Sequence, residues 1–312
     1  MPQDQKVRAV LFDADGVDRE IEPLDDVASI PDKQIYWLIL TGDHDTSPHP
    51  IEEIDKDFIL RGGVVVQDAR FCLSVPAVPN EAGHSEDQMI LVVGRNWLVT
   101  LSDKPMSLVE RYLDCDTGET LKGSLTATAL AVSLLMAHFE AFHEHLAAIE
   151  QRLDALDEQV FRSRQRHDPL NTLAVLRRHT ARLRGIIADH RRAIATLDRP
   201  DFGPAVDDSD REHLTHLAEA YRRLVDAVDR TRDTVLSSYD LYATRVAQNT
   251  NRLLQRLTVI TVGIGLIGAL AGIFGMNFSL DMFKPEAHAF PIVAVMMATI
   301  ALTTLFLAIR QS

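Results

Sequence analysis

Five small residues, Thr261, Gly265, Gly268, Gly272 and Gly275, step by four, three, four and three along a segment that carries no charge. A helix turns about 100° per residue, so those steps fall on one face. Two kinds of chemistry use such a face. Small residues let helix backbones approach closely, and Gly268-x-x-x-Gly272 has the familiar packing spacing. A face without side chains can also line a narrow pore, leaving room for a hydrated ion. Spacing alone leaves both readings open. Gly263-x-Gly265-x-x-Gly268 also matches the dinucleotide-binding fingerprint, with Asp281 downstream. That fingerprint needs a strand before it and a βαβ unit after it, and here it lies inside an apolar run.

Other clusters sit upstream. Glu212, His216 and Glu219 share one helical face, a donor set suited to zinc, nickel or cobalt or simply to water. Asp226, Asp229 and Asp233 follow on the same predicted helix and offer the oxygen donors that hard divalent cations take. Arg177, Arg178, Arg182, Arg184, Arg191 and Arg192 are expected to pair with acidic neighbouring helices. No GxxxxGK[ST] loop, GxSxG elbow or HExxH pair occurs, so neither an enzyme nor a nucleotide-driven machine is expected. With 45 acidic against 32 basic residues the charge is −13, which argues against a nucleic-acid partner. Cys72 and Cys115 form no CxxC pair, so no cysteine zinc site or disulfide scaffold is encoded.

The elements that must position these residues follow from charge and periodicity. Leu257–Leu280 and Ala289–Ile309 contain no charged residue. About 20 apolar residues cross a bilayer as a helix, so two membrane spans are expected. The whole charge excess then belongs to the preceding residues. Arg245, Arg252 and Arg256 precede the first span and Arg310 follows the second, against Lys284 alone between them. That bias puts both termini in the cytoplasm of a multi-pass inner-membrane protein. Short apolar runs at Val7–Phe12, Ile35–Leu40, Gly63–Val66, Phe71–Val75, Met89–Val93 and Trp97–Leu101 read as strands, with helices at Pro50–Arg61 and Ser107–Leu113. Beyond Gly123, helical periodicity runs through Ser124–Arg164, Pro169–Leu197 and from Ser209 onward, with Leu146, Ile149, Leu153, Leu156 and Val160 as one buried stripe. Asp207, Asp208, Ser209 and Asp210 offer N-caps for the last helix. No strong breaker follows until the glycines of the first span, so that helix should enter the bilayer unbroken.

The expected architecture is therefore an α/β cytoplasmic domain followed by long helices and two C-terminal transmembrane helices. Its parts are an α/β domain over residues 1–123 and a helical hairpin over 124–205. A stalk helix continuing into the first transmembrane helix spans 206–276. An external loop covers 277–288, and the second transmembrane helix with a short cytoplasmic tail covers 289–312.

Gly275-Met276-Asn277, ending the first of two C-terminal spans, resembles the signature of the CorA-type divalent-cation channels, the 2-TM-GxN superfamily that includes the ZntB branch. Asn251–Thr258 is similar to that family's Asn-x-x-Met-x-x-Leu-Thr run, with Leu254 at the methionine position. Trp97–Thr100 and His49–Ile54 loosely echo its soluble domain. Two features depart from the family: Leu266 stands where a mid-span proline is usual, and Asp281 and Glu286 replace the Met-Pro-Glu-Leu loop.

The resemblance implies a funnel-shaped homopentamer with the first spans around a central pore. Gly275, Met276 and Asn277 would form the selectivity mouth, and Asn251, Leu254, Leu257, Thr261, Gly265, Gly268 and Gly272 would line the path. Asp281 and Glu286 would attract cations, while Asp226, Asp229, Asp233, Glu212, His216 and Glu219 are candidates for regulatory metal. The implied activity is passive uptake of Mg²⁺, with Co²⁺ and Ni²⁺ as further candidate ions, gated by cytoplasmic cation. No catalytic cofactor is implied. A proton-coupled Zn²⁺ transporter of the ZntB type is the near alternative, and a non-conducting membrane-anchored cation sensor the distant one.

Overall fold

The computed structural model describes residues 6–13, 17–24, 27, 30–31, 33–42, 63–67, 70–78, 88–114, 126–162, 169–204, 208–275 and 289–310. The chain divides into two compact units, Met1–Ser237 and Ser238–Ser312.

In the first unit the strands are β1 (Lys6–Asp13), β2 (Arg19–Ile21), β3 (Gln34–Thr41), β4 (Gly63–Gln67), β5 (Arg70–Pro76), β6 (Gln88–Val93) and β7 (Trp97–Ser102). They form one sheet in the order β2-β1-β3-β7-β6-β5-β4, in which β3 and β7 run parallel and every other pair is antiparallel. Six of the seven match the apolar runs read from sequence. The seventh, β2, is a three-residue edge whose side chains are mostly exposed, held in part by the Arg8–Glu20 ion pair at 2.9 Å.

Unbroken apolar runs in β3, β6 and β7 reflect burial on both sheet faces, so alternation is lost. Register puts Ala9, Leu38, Val99, Val92 and Cys72 on one face, where they belong to a single buried cluster. Val10, Trp37, Leu98, Val93 and Phe71 share the other. Trp37 is fully buried there. Its indole N–H donates to Thr100 Oγ1 at 2.8 Å, and its ring stacks on Phe12 and meets Tyr112 edge-on. Phe71 packs edge-on against Phe202 at 5.2 Å between ring centres.

Tyr112 belongs to α1 (Ser107–Asp114), followed by α2 (Ala127–Arg162), α3 (Pro169–Asp189) and α4 (Arg191–Leu197). Thr126 caps α2, its hydroxyl oxygen accepting the Ala129 N–H at 3.0 Å while the hydroxyl donates to the buried Asp210 carboxylate. The expected stripe is buried at Leu146, Ile149, Leu153 and Leu156. The expected single stretch Pro169–Leu197 is instead broken at His190. The Ile186 carbonyl, which a continuing helix would give to the His190 N–H, lies against the His190 ring Nδ1 at 2.9 Å, and the backbone N–H turns to Ile187 O at 3.2 Å. A side chain competing for a helix carbonyl makes the joint.

The last two helices are α5 (Asp208–Gly275) and α6 (Ala289–Arg310). Asp208 and Asp210 occupy the first turn of α5, where the helix dipole favours negative charge. The 68-residue helix runs on without interruption, as its sequence predicts. Among the described residues α5 is the one helix long and apolar enough to cross a membrane, and the apolar described stretch of α6, Pro291–Phe306, is shorter. The expected helix at Pro50–Arg61 lies outside the described residues.

Trp37→Ala removes the largest buried side chain of the sheet together with its hydrogen bond. The expected loss is about 3–5 kcal/mol, read as an earlier urea midpoint by circular dichroism.

Candidate functional site

In the second unit, α5 presents Asn251, Leu254, Leu257, Thr261, Gly265, Gly268 and Gly272 on one side, and every one of them is exposed in the chain. Leu254 and Leu257 expose 56% and 59% of their surface, far from what a monomer's core leucine shows. The face is polar at Asn251, apolar at the two leucines and bare at the glycines. Thr261 donates its hydroxyl to Leu257 O at 2.8 Å, and Thr258 donates to Leu254 O at 2.9 Å. Those hydroxyls are satisfied within the helix.

Gly263 lies on the opposite side and is buried. A Cβ built there would stand 2.5 Å from Thr304 Cγ2 of α6, whereas one built at Gly265, Gly268 or Gly272 would meet nothing within 4 Å. The helix contact inside this chain therefore uses Gly263, and the small-residue stripe is left unused by it. Sequence reasoning placed Gly263 only in the rejected dinucleotide fingerprint. Its partner is a threonine some forty positions away, and no local spacing signals that contact. Gly275 is the final residue of α5. Met276, Asn277, Asp281 and Glu286 lie outside the described residues.

The upstream acids sit on the first-unit portion of α5. Asp229 Oδ1 accepts from Arg184 Nε of α3 at 2.7 Å, which holds that guanidinium above its ordinary pKa. Asp233 accepts from Arg232 at 3.0 Å, and Asp198 from Arg222 at 3.0 Å. The expected pairing of the arginine-rich helix with acidic neighbours is thus present at Arg184. A groove of about 300 Å³ runs between α3 and α5, lined by Arg184, Ile187, Tyr221, Val225, Asp226 and Asp229. Glu212 and His216 approach only to 3.8 Å, both exposed, and Glu219 is exposed as well. Among the described residues, no three His, Cys, Asp or Glu side chains converge on a point that could hold a metal ion.

The two glycine faces make different demands. Gly263→Val should push α5 and α6 apart, seen as a longer distance between spin labels on the two helices. Gly268→Ala should leave that distance unchanged.

Comparison with known proteins bears on what such an arrangement does. The family described as CorA-like Mg2+ transporter protein matches residues 32–310. The cobalt/magnesium transport protein CorA of Thermotoga maritima is 28% identical over 178 residues, covering 56% of this chain and 49% of the relative. The chain thus spans about half the length of that curated relative in the matched region. Among solved structures, the CorA magnesium transporter from Methanocaldococcus jannaschii superposes with a TM-score of 0.75 at 17% identity, over 96% of each chain. The full-length CmaX protein superposes with a TM-score of 0.64 at 17% identity, over 100% of this chain and 99% of its own. At such identity the two structures speak for the fold: a mixed-sheet domain followed by long helices. With the family matched over nearly its whole length, the chain belongs to the CorA-like Mg2+ transporter family.

Proposed function

We propose that this chain is a multi-pass membrane protein with both termini cytoplasmic, which assembles as a pentamer and passes divalent cations, Mg²⁺ foremost, into the cytoplasm. The observation that carries the reading is the bare Gly265–Gly268–Gly272 face, which the intrachain helix contact at Gly263 leaves open. Five such faces around an axis enclose a path without side chains to obstruct it. Relatives titled as magnesium and cobalt transport proteins support the choice of cargo.

The chemistry suits a hydrated ion. Mg²⁺ gives up its octahedral water reluctantly, so a ring of Asn277 amide oxygens binds it through its waters at the outer mouth. Neutral oxygens avoid placing unpaired carboxylates in a low-dielectric region. Leu254 and Leu257 form an apolar constriction at the inner end, where removal of water closes the path. Asp281 and Glu286 raise the local cation concentration outside. A divalent cation entering a cell at about −100 mV gains roughly 4.6 kcal/mol, enough to drive uptake without nucleotide.

Gating follows from the charge. The −13 of each chain lies in the soluble part, so an assembly repels itself, and cytoplasmic cations bound between copies relieve that repulsion. Asp226, Asp229 and Asp233, with Glu212, His216 and Glu219, are the acids and imidazole available on the stalk. Release of those cations at low internal Mg²⁺ loosens the assembly and opens the constriction.

Flux into proteoliposomes tests the proposal. The wild-type chain should take up Mg²⁺ down an electrical gradient without ATP. Asn277→Ala should abolish selective uptake while leaving the oligomer intact, and unchanged uptake would remove Asn277 from the path. Gly268→Leu should stop conduction or break assembly, since five leucines fill the bare face. Zn²⁺ uptake exceeding Mg²⁺ and following an imposed pH gradient would assign the chain to zinc transport instead. No metal-dependent flux at all would leave a membrane-anchored sensor.

A further inference from the structure

The joint between α3 and α4 holds two histidines that the transport reading does not use. His138 of α2 and His190 at the joint are 0% and 1% exposed, with their Nε2 atoms 3.1 Å apart. His190 Nδ1 lies 2.9 Å from the Ile186 carbonyl, which can only accept, so this nitrogen carries hydrogen. In a neutral ring His190 Nε2 is then bare and takes the Nε2–H of His138. The tautomers are thereby set, and His138 Nδ1 is left bare, buried and without a partner.

Each neighbouring element contributes to this environment. From α2 come the rings of Phe139 and Phe142, whose centres lie 5.1–5.9 Å from one or the other histidine. The end of β5 contributes the Pro76 carbonyl, which acts on both rings. Tyr221 of α5 packs on Phe139 and donates its hydroxyl to Ile187 O at 3.1 Å, its phenol pushed up by burial. Asp189 and Arg191, the chain neighbours of His190, are exposed. Among the described residues no carboxylate acts on either imidazole.

We propose that the His138–His190 pair is a proton-sensitive latch, which fastens the α3–α4 joint to α2 and the end of β5 at neutral pH and releases it on mild acidification. A proton added in place finds the Pro76 carbonyl but no anion to share its charge. On His138 it creates a buried Nδ1–H without an acceptor. On His190 it sets two Nε2–H groups against each other, with the Pro76 carbonyl left to accept from both. A second proton sets two cations about 3 Å apart with no anion beside them. Uptake is therefore coupled to opening, when both rings reach water.

Burial, with no compensating charge, pushes His190 down to about 4 and His138 well below its ordinary value. The opened state titrates near the ordinary 6.5 and binds more protons below it. The latch is thus at full strength above pH about 6.5 and weakens as pH falls below that, about tenfold per pH unit for each histidine. The inference stands apart from the identity of any transported ion.

Hydrogen exchange on the full-length protein in detergent, corrected for intrinsic exchange chemistry, reads the latch directly. Opening of Ile187–Ile194 and the end of β5 should rise by roughly 15-fold to 250-fold in all from pH 6.5 down to 5, for one or two histidines titrating, while β3 and β7 stay protected. In His138→Leu/His190→Phe that dependence should vanish. His190→Gln, which can still hydrogen-bond the Ile186 carbonyl, is the gentler variant and should reduce the dependence. A flat wild-type profile would overturn the proposal, as would a rise spread equally over the whole sheet or one that persists in the variants.

Discussion

Two helices approach most closely where small residues meet at the contact. In the second unit that contact falls on Gly263, where Thr304 leaves no room for another carbon. Fixing this contact fixes the rotation of α5 about its own axis. Because successive residues turn by about 100°, the stripe Gly265–Gly268–Gly272 is then directed away from α6. The threonines complete the arrangement. Thr258, Thr261, Thr299, Thr303 and Thr304 all return their hydroxyls to carbonyls of the preceding turn. They contribute shape without leaving an unsatisfied polar group, which an apolar medium penalises heavily.

Electrostatics in the first unit is organised differently. Its ion pairs, Arg184–Asp229, Arg222–Asp198, Arg199–Asp201 and Arg8–Glu20, join exposed or partly exposed groups and are individually weak. Arg184–Asp229 ties α3 to α5 and Arg222–Asp198 ties α5 to the end of α4, while the other two are local to a turn and a sheet edge. Cohesion comes from the stripes instead: Leu173, Leu176, Leu183 and Ile187 on α3, and Leu214, Leu217, Leu224 and Val228 on α5, all buried. Polar ties such as Thr231 to Glu150 at 2.7 Å add register between α2 and α5.

Much of this was legible in the sequence because its signals are local. A β-branched run bounded by turn residues reads as a strand wherever it ends up in the sheet, and a leucine every three or four residues reads as a helix face. What escaped reading depended on partners far along the chain. Arg19–Ile21 has no apolar pattern, and it is a strand only because β1 offers an edge. Pro169–Leu197 has helical periodicity throughout, yet it breaks at His190, whose ring is engaged by a residue 52 positions away. The glycine stripe falls along α5, and spacing could not choose between packing and pore. Gly263 separates the two faces, and its role appears only once Thr304 is beside it.

The parallel pairing of β3 with β7 has a bearing on how the protein is made. Residues 36–41 lie beside 97–102, so the centre of the sheet cannot close until the ribosome has released the chain beyond Ser102. Until then β1 and β3 can form a hairpin, but the inner edge of that hairpin bears Trp37, Leu38 and Leu40 with nothing against it. Such delayed, non-local closure is slow and leaves adhesive surface uncovered. That exposure lasts for the synthesis of about 60 residues, some seconds at ~5–20 residues per second, and ends well before the apolar C-terminal helices emerge.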